Sequence, residues 1–78
     1  MEQTLQRFGK NVRAARLARG WTQEDLAGYS GLAPVQVSRV ERGKREIRIT
    51  TLIRLLDALD AAPSELLAGL VRNVGPKA

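Results

Sequence analysis

Glycines and prolines divide this chain into short segments, and this division limits its fold more than any other feature. Gly20, Gly31 and Gly43 each follow a stretch with helical character, and Pro34 and Pro63 stand where a helix can begin. Glycine readily adopts the left-handed conformation that ends a helix, and proline fits the first helical turn because its missing N–H costs no hydrogen bond there. We therefore expect a series of short helices.

Within these segments, apolar residues recur every three or four positions, which is the spacing of one helix face. The predicted helices, in chain order, are 2–19, 23–30, 34–42, 50–59 and 63–72. Residues 44–49 lack this periodicity and predict an extended loop, and the residues after 72 predict a short disordered tail. We expect one all-α domain, a compact arrangement of five helices, over residues 1–78.

The composition argues against an enzyme. The chain has neither cysteine nor histidine, so it lacks a thiolate nucleophile, the usual general base and the commonest metal ligand. Its acidic residues show no spacing typical of a metal site or of paired acid and base catalysis. We expect no catalytic activity, metal or cofactor. The chain also shows no signal peptide and no segment that could span a bilayer, which predicts a cytoplasmic protein.

The charge of the chain favours an anionic partner. Its formal net charge is +5, from 13 basic and 8 acidic residues. The basic residues fall into two main sets, Arg7, Lys10, Arg13, Arg16 and Arg19, and Arg39, Arg42, Lys44, Arg45 and Arg48. The first set could be no more than the solvated face of a helix. The second set lies in a short helix and the loop after it, and is harder to explain in that way.

The third predicted helix has two chemically different faces. Val37 and Val40 point one way, whereas the opposite face carries Val35, Ser38, Arg39 and Arg42. An arginine can bind guanine in a bidentate manner, a serine can donate or accept, and a valine can contact a thymine methyl. The alternative is an exposed helix with one stray apolar residue. The second and third predicted helices are short and are joined by a tight turn that contains glycine, and the third is basic on its outer face. This arrangement matches a helix-turn-helix motif that reads the major groove.

The stretch "WTQEDLAGYSGLAPVQVSRVERGKREIRITTLIRLLDALDAAPSELL", residues 21–67, resembles the Cro/CI helix-turn-helix family of phage repressors and bacterial regulators. Its most specific pieces are "TQEDLA", "SGL", "VSRVERGKR" and "ALDAAPSELL". The resemblance implies a five-helix, lambda-repressor-like domain that binds double-stranded DNA, usually as a homodimer on a palindromic operator. The small size of the chain resembles that of restriction-modification controller proteins and small phage regulators.

The resemblance also implies roles for individual residues. Base contacts are expected from Pro34, Val35, Gln36, Ser38 and Arg39. Phosphate contacts are expected from Thr22, Gln23, Arg42, Lys44, Arg45 and Arg48. The family often pairs an arginine near the end of its first helix with a glutamate that ends the recognition helix, here Arg16 with Glu41. Arg16 could instead remain a free surface side chain or share a phosphate.

The chain departs from the family pattern at three helix starts. Ala33, Arg48 and Ala62 stand where many members carry a capping serine or threonine. A lost side-chain cap costs about 1 kcal/mol, which Pro34 partly offsets by favouring the start of the third helix. Because proline has no N–H donor, any base contact from Pro34 must be apolar.

The last two predicted helices carry more large apolar residues than a small core needs. The surplus that could form a two-fold interface is Ile53, Leu66, Leu67, Leu70 and Val71. Leu66 and Leu70 could equally be the core face of the fifth helix. We expect a sequence-specific transcription regulator with no small-molecule ligand. The alternative is an antitoxin or adaptor that uses the same helices mainly to bind a partner protein.

Overall fold

A computed structural model of the chain describes residues 2–70, which form five helices and no strand. The helices are α1 (Glu2–Ala18), α2 (Gln23–Ser30), α3 (Pro34–Arg42), α4 (Ile49–Leu59) and α5 (Pro63–Leu66). The predicted all-α fold is confirmed, and each of the first four helices lies within one residue of its predicted bounds. Within the described residues, no helix has the length and apolar character needed to cross a bilayer.

The fifth helix is shorter than its apolar pattern predicts. It ends at Leu66, and residues 67–70 form turns, so the predicted continuation of the helix through them is wrong. Gly69 has a φ of 81°, which is incompatible with a right-handed helix. The side chain of Asn11 also donates to the carbonyl oxygens of Leu66 and Ala68, at 2.8 and 2.9 Å. The rest of the predicted helix and the predicted tail lie outside the described residues.

The helix-turn-helix pair, α2 and α3, begins and ends at local signals. At the start of α2, the Thr22 side chain accepts from the Asp25 N–H at 3.0 Å, and the Asp25 carboxylate accepts from the Thr22 N–H at 2.9 Å. Gly31, with a φ of 74°, ends α2, and Gly43, with a φ of 64°, ends α3. The turn between the two helices is therefore only three residues long, from Gly31 to Ala33.

Helices α1 to α5 all contribute to one apolar core. The buried apolar residues are Phe8, Val12, Ala15, Leu26, Ala27, Leu32, Val37, Val40, Leu55, Leu59 and Leu66. Helix α3 packs against both α1 and α2, and α2 also packs against α4. The inner face of α3 is thus held on two sides, which fixes the direction in which its outer face points.

A glycine allows α1 to contact the end of α3 directly. A Cβ atom at Gly9 would lie 2.5 Å from the backbone carbonyl oxygens of Val40 and Glu41. That separation is shorter than any real contact of a Cβ atom, so a larger residue could not occupy this position without moving one helix. Close approach at Gly9 therefore sets the distance between α1 and the last turn of α3.

Candidate nucleic-acid interface

The structure separates the two faces of α3 as the periodicity predicts. Val37 and Val40 are buried, whereas Val35 is 50% exposed, and Arg39 is exposed as well. Ser38 lies half-buried at the edge of the same outer face. A branched apolar side chain, a hydroxyl and a guanidinium therefore lie together on a helix surface that no other part of the described chain covers.

Two further residues on α3 make local hydrogen bonds. The Oε1 atom of Gln36 accepts from the Ala33 N–H at 2.8 Å, so this amide oxygen caps the helix in place of the side chain that Ala33 lacks. The side-chain NH2 group of Gln36 is the part left to contact a base. Arg42, one turn after Ser38, donates from Nε to the Ser38 carbonyl oxygen at 3.3 Å.

A buried ion pair joins α1 to the end of α3. Arg16 donates from Nε to Oε2 of Glu41 at 2.6 Å and from Nη2 to Oε1 at 3.0 Å. Its Nη1 donates to the Trp21 carbonyl oxygen at 2.6 Å. The hydrogen bond to Glu41 raises the pKa of Arg16 above its ordinary value, although burial opposes the shift. Arg16 is therefore a permanently charged structural residue, with its guanidinium already engaged.

The same carboxylate also holds a residue at the start of α2. Nε2 of Gln23 donates to Oε1 of Glu41 at 3.1 Å, which leaves the second hydrogen of that amide group uncommitted. Thr22 is exposed, and its hydroxyl oxygen accepts within the capping box while its hydroxyl hydrogen stays available. The first turn of α2 thus presents polar donors and the positive end of the helix dipole, a combination that favours an anion.

The loop after α3 supplies positive charge close to this outer face. Lys44, Arg45 and Arg48 are all exposed. Among the side chains that the structure describes, those of residues 3–70, Arg16 and Glu41 form the sole salt bridge, so none of these three cations has an acidic partner there. Sequence reasoning missed a further cation, Arg54 of α4, whose Nη1 donates to the Gly31 carbonyl oxygen at 3.3 Å.

The structure divides the candidate dimer residues. Leu66 is fully buried among core residues, so its assignment to an interface is wrong and its alternative assignment to the core is right. Leu67 and Leu70 are partly buried against the core, Ile53 is 49% exposed, and Val71 lies outside the described residues. Ile49, which the sequence predicts as a buried residue of the extended loop, instead begins α4 and is 68% exposed one turn before Ile53, so that prediction is wrong.

Taken together, α2, the three-residue turn and α3 define a helix-turn-helix motif whose second helix has a basic outer face. The helix-turn-helix family model matches residues 12–66, which is more than half of the chain. The protein belongs to this family, whose Cro/CI-like members are DNA-binding transcription regulators. The predicted resemblance to the Cro/CI family is confirmed.

Individual relatives agree with the family match. The chain is 36% identical over 73 residues to the HTH-type transcriptional repressor RghR of Bacillus subtilis. That alignment covers 90% of this chain and 54% of RghR. It is 40% identical over 60 residues to the control protein C.SmaI of Serratia marcescens. That alignment covers 77% of this chain and 71% of C.SmaI. The chain thus spans about half of the length of RghR and a larger share of C.SmaI.

A solved structure shows the same fold. The restriction-modification controller protein C.AhdI of Aeromonas hydrophila superimposes with a TM-score of 0.76 and 44% sequence identity, over 80% of this chain and 94% of C.AhdI. Both C.SmaI and C.AhdI are controller proteins by name, so the predicted similarity to that group is confirmed as well.

Proposed function

We propose that the protein is a sequence-specific transcription regulator that binds a palindromic operator as a homodimer, with α3 of each protomer in the major groove. The observation that carries this proposal is the outer face of α3, where Val35 and Arg39 are exposed while Val37 and Val40 anchor the opposite face in the core. The two half-sites would lie about 34 Å apart, one turn of DNA. The protein would act in the cytoplasm and carry no catalytic activity.

Base recognition is assigned to the outer face of α3, through Pro34, Val35, Gln36, Ser38 and Arg39. The guanidinium of an arginine such as Arg39 can bind O6 and N7 of a guanine together, and a valine such as Val35 can contact a thymine methyl. Gln36 contributes its NH2 group, since its oxygen caps α3. Pro34 contributes only apolar contact.

Phosphate binding is assigned to the residues that flank this face, Thr22, Gln23, Arg42, Lys44, Arg45 and Arg48. Gln23 is oriented by its hydrogen bond to Glu41, so the start of α2 and the end of α3 are held as one rigid unit. Such contacts fix the position of a protein on the duplex and make its affinity depend on salt.

The dimer is assigned to the exposed side of α4 and the segment after α5. Ile49 and Ile53 lie one turn apart and are 68% and 49% exposed, and a two-fold axis near them would bury both pairs. Leu67, Leu70 and Val71 complete the proposed interface, and Leu66 does not belong to it.

Selection of bound sequences from random duplex DNA tests the proposal. If the protein is such a regulator, the selection should enrich an inverted repeat. Sedimentation at several protein concentrations should then show a dimer on that site. Enrichment of a single, non-repeated half-site by a protein that remains monomeric would contradict the dimer. Failure to enrich any sequence would contradict sequence-specific binding.

The exposed Ile49 and Ile53 also favour a second candidate, an antitoxin or adaptor that binds a partner protein through α4. In that case, replacing both isoleucines by serine would abolish function, whereas Arg39→Ala would leave it intact. A regulator requires Arg39 whatever surface its dimer uses.

A further inference from the structure

An open groove of about 460 Å³ lies between α3, the loop after it and the first half of α4. The residues of its lining that bear on its chemistry are Gln36, Arg39, Arg45, Arg48, Thr50 and Arg54. Arg39 belongs both to this groove and to the outer face of α3. The groove is therefore continuous with the surface assigned to base recognition.

The charge of the groove is strongly one-sided. Four arginines line it, against one acidic residue, Glu46, which is exposed and forms no salt bridge in the part of the chain that the structure describes. Like charges collected in a concave surface focus the electrostatic potential and raise the local concentration of anions. Planar guanidinium groups are also suited to binding phosphate oxygens in pairs. The chemistry of the groove thus indicates a phosphate ligand.

Arg54 differs from the other three arginines because its guanidinium makes a hydrogen bond to the backbone of another segment. Its Nη1 atom donates to the Gly31 carbonyl oxygen at 3.3 Å, which connects α4 to the turn before α3. This long hydrogen bond uses one of the five donors of the guanidinium and leaves the others for a ligand. The hydrogen bond places the Arg54 guanidinium beside the turn that precedes the recognition helix.

We propose that this groove binds one backbone phosphate in each half-site of the operator, next to the base contacted by Arg39, and that Arg54 and the Thr50 hydroxyl donate to it. The inference rests on the proposed DNA-binding function and adds a phosphate contact from α4. Through its bond to Gly31, Arg54 would also tie that phosphate to the turn that orients α3.

The salt dependence of operator binding tests this contact. Arg54→Gln should weaken binding about tenfold for each half-site and lower the slope of log K against log salt by about 1.8, as expected when each protomer of the dimer loses one phosphate contact on B-DNA. Arg54→Lys should restore most of the slope. Arg13→Gln is the matched control, because it removes the same charge from an exposed position of α1 outside the groove. Equal slopes for Arg54→Gln and Arg13→Gln would overturn the proposal.

A neutral backbone locates the phosphate. In operators that carry a single methylphosphonate at successive positions, one position in each half-site should weaken the wild type but not further weaken Arg54→Gln. If both proteins respond alike at every position, Arg54 contacts no phosphate and the proposal fails. Thermal unfolding of Arg54→Gln shows whether the variant is folded, and Arg54→Lys provides the comparison if it is not.

Two further results distinguish a DNA phosphate from a free phosphate ligand, and distinguish a failure of this inference from a failure of the proposed function. Titration of the free protein with pyrophosphate, followed by the NMR signals of the arginine side chains, reports a free anion. An Arg54-dependent pyrophosphate site with an unchanged DNA salt slope would overturn the DNA assignment. The proposed function would be refuted if the wild-type protein bound its selected sequence no better than random DNA. This inference alone would be refuted if the wild type bound its operator normally and Arg54→Gln had the same salt slope as the wild type.

Discussion

Arg16 of α1 and Glu41 of α3 form a bidentate ion pair that is buried, with Arg16 only 7% and Glu41 only 8% exposed. Glu41 also accepts from Gln23 at the start of α2. One carboxylate therefore connects the first helix, the start of the helix-turn-helix and the end of the recognition helix. Glu41 therefore contacts both Arg16, which stabilises the domain, and Gln23, which is assigned to DNA binding.

Glu41→Gln should lower the free energy of unfolding by about 3 kcal/mol, because it leaves the buried guanidinium of Arg16 without a countercharge. Urea denaturation followed by circular dichroism measures the effect. The double variant Arg16→Met/Glu41→Gln removes the unpaired charge and should be more stable than Glu41→Gln alone. Glu46→Gln, at an exposed acid, is the control and should change stability by less than about 0.5 kcal/mol. A single variant as stable as this control would contradict a structural role for the pair.

The Arg16 ion pair should stabilise the protein equally from about pH 7 to pH 10. The pKa of Arg16 is raised in the folded state, so its contribution is fully present below the unfolded pKa and is lost only as the pH rises through the folded pKa. Both values lie well above pH 10. The stability difference between the wild type and Arg16→Met/Glu41→Gln should therefore stay constant in urea titrations over this range. A difference that shrinks by pH 10 would show that Arg16 loses its proton much earlier.

Gly9→Ala should destabilise the protein by about 1–3 kcal/mol, because its Cβ would lie 2.5 Å from two backbone carbonyl oxygens of α3. Gly28→Ala is a matched control in α2, since its Cβ would meet no atom within 4 Å. Replacing a helical glycine in open space should stabilise the protein by up to about 1 kcal/mol. Thermal and urea denaturation should thus give shifts of opposite sign. Equal shifts for the two variants would mean that α1 and α3 can separate without cost.

The first four helices could be predicted from the sequence because their signals are local. The caps at Thr22, Gly31 and Gly43 act within a few residues, and the apolar periodicity is dense enough to identify the buried faces. The pairing of Arg16 with Glu41 came from the family resemblance rather than from spacing. Its distances and its link to Gln23 required the structure.

The features that the sequence did not reveal depend on contacts between distant segments. The end of α5 is set in part by the Asn11 side chain, which is 55 residues away from Leu66. Arg54 gains its position because α4 lies beside the turn at Gly31, which is 23 residues earlier. The apolar pattern alone could not assign Leu66 to the core or to an interface. The capping role of Gln36, by contrast, has a local signal, since it lies three residues after Ala33.

Ala33→Ser should stabilise the protein by about 0.5–1 kcal/mol, because a serine hydroxyl can accept from the first turn of α3, where Ala33 makes no side-chain cap. Differential scanning calorimetry measures the gain. Ala62→Ser is the comparison, since it adds the same hydroxyl before α5, a helix of only 4 residues. The gain at α3 should be the larger of the two. No gain at Ala33 would indicate that Pro34 and Gln36 already satisfy the helix start.

Arg39→Ala and Lys44→Ala should weaken operator binding in different ways. Arg39 is assigned to a base, so its loss should reduce discrimination at one base pair of each half-site by about 1–3 kcal/mol. Lys44 is assigned to a phosphate, so its loss should weaken binding to all sequences and lower the salt slope by about one for each protomer of the dimer. Fluorescence anisotropy with the selected operator, its single-base variants and random duplex, at several salt concentrations, separates the two effects. If Arg39→Ala weakened binding to the operator and to random DNA equally, Arg39 would contact a phosphate instead of a base. Base recognition would then have to rest on the remaining residues of the outer face of α3.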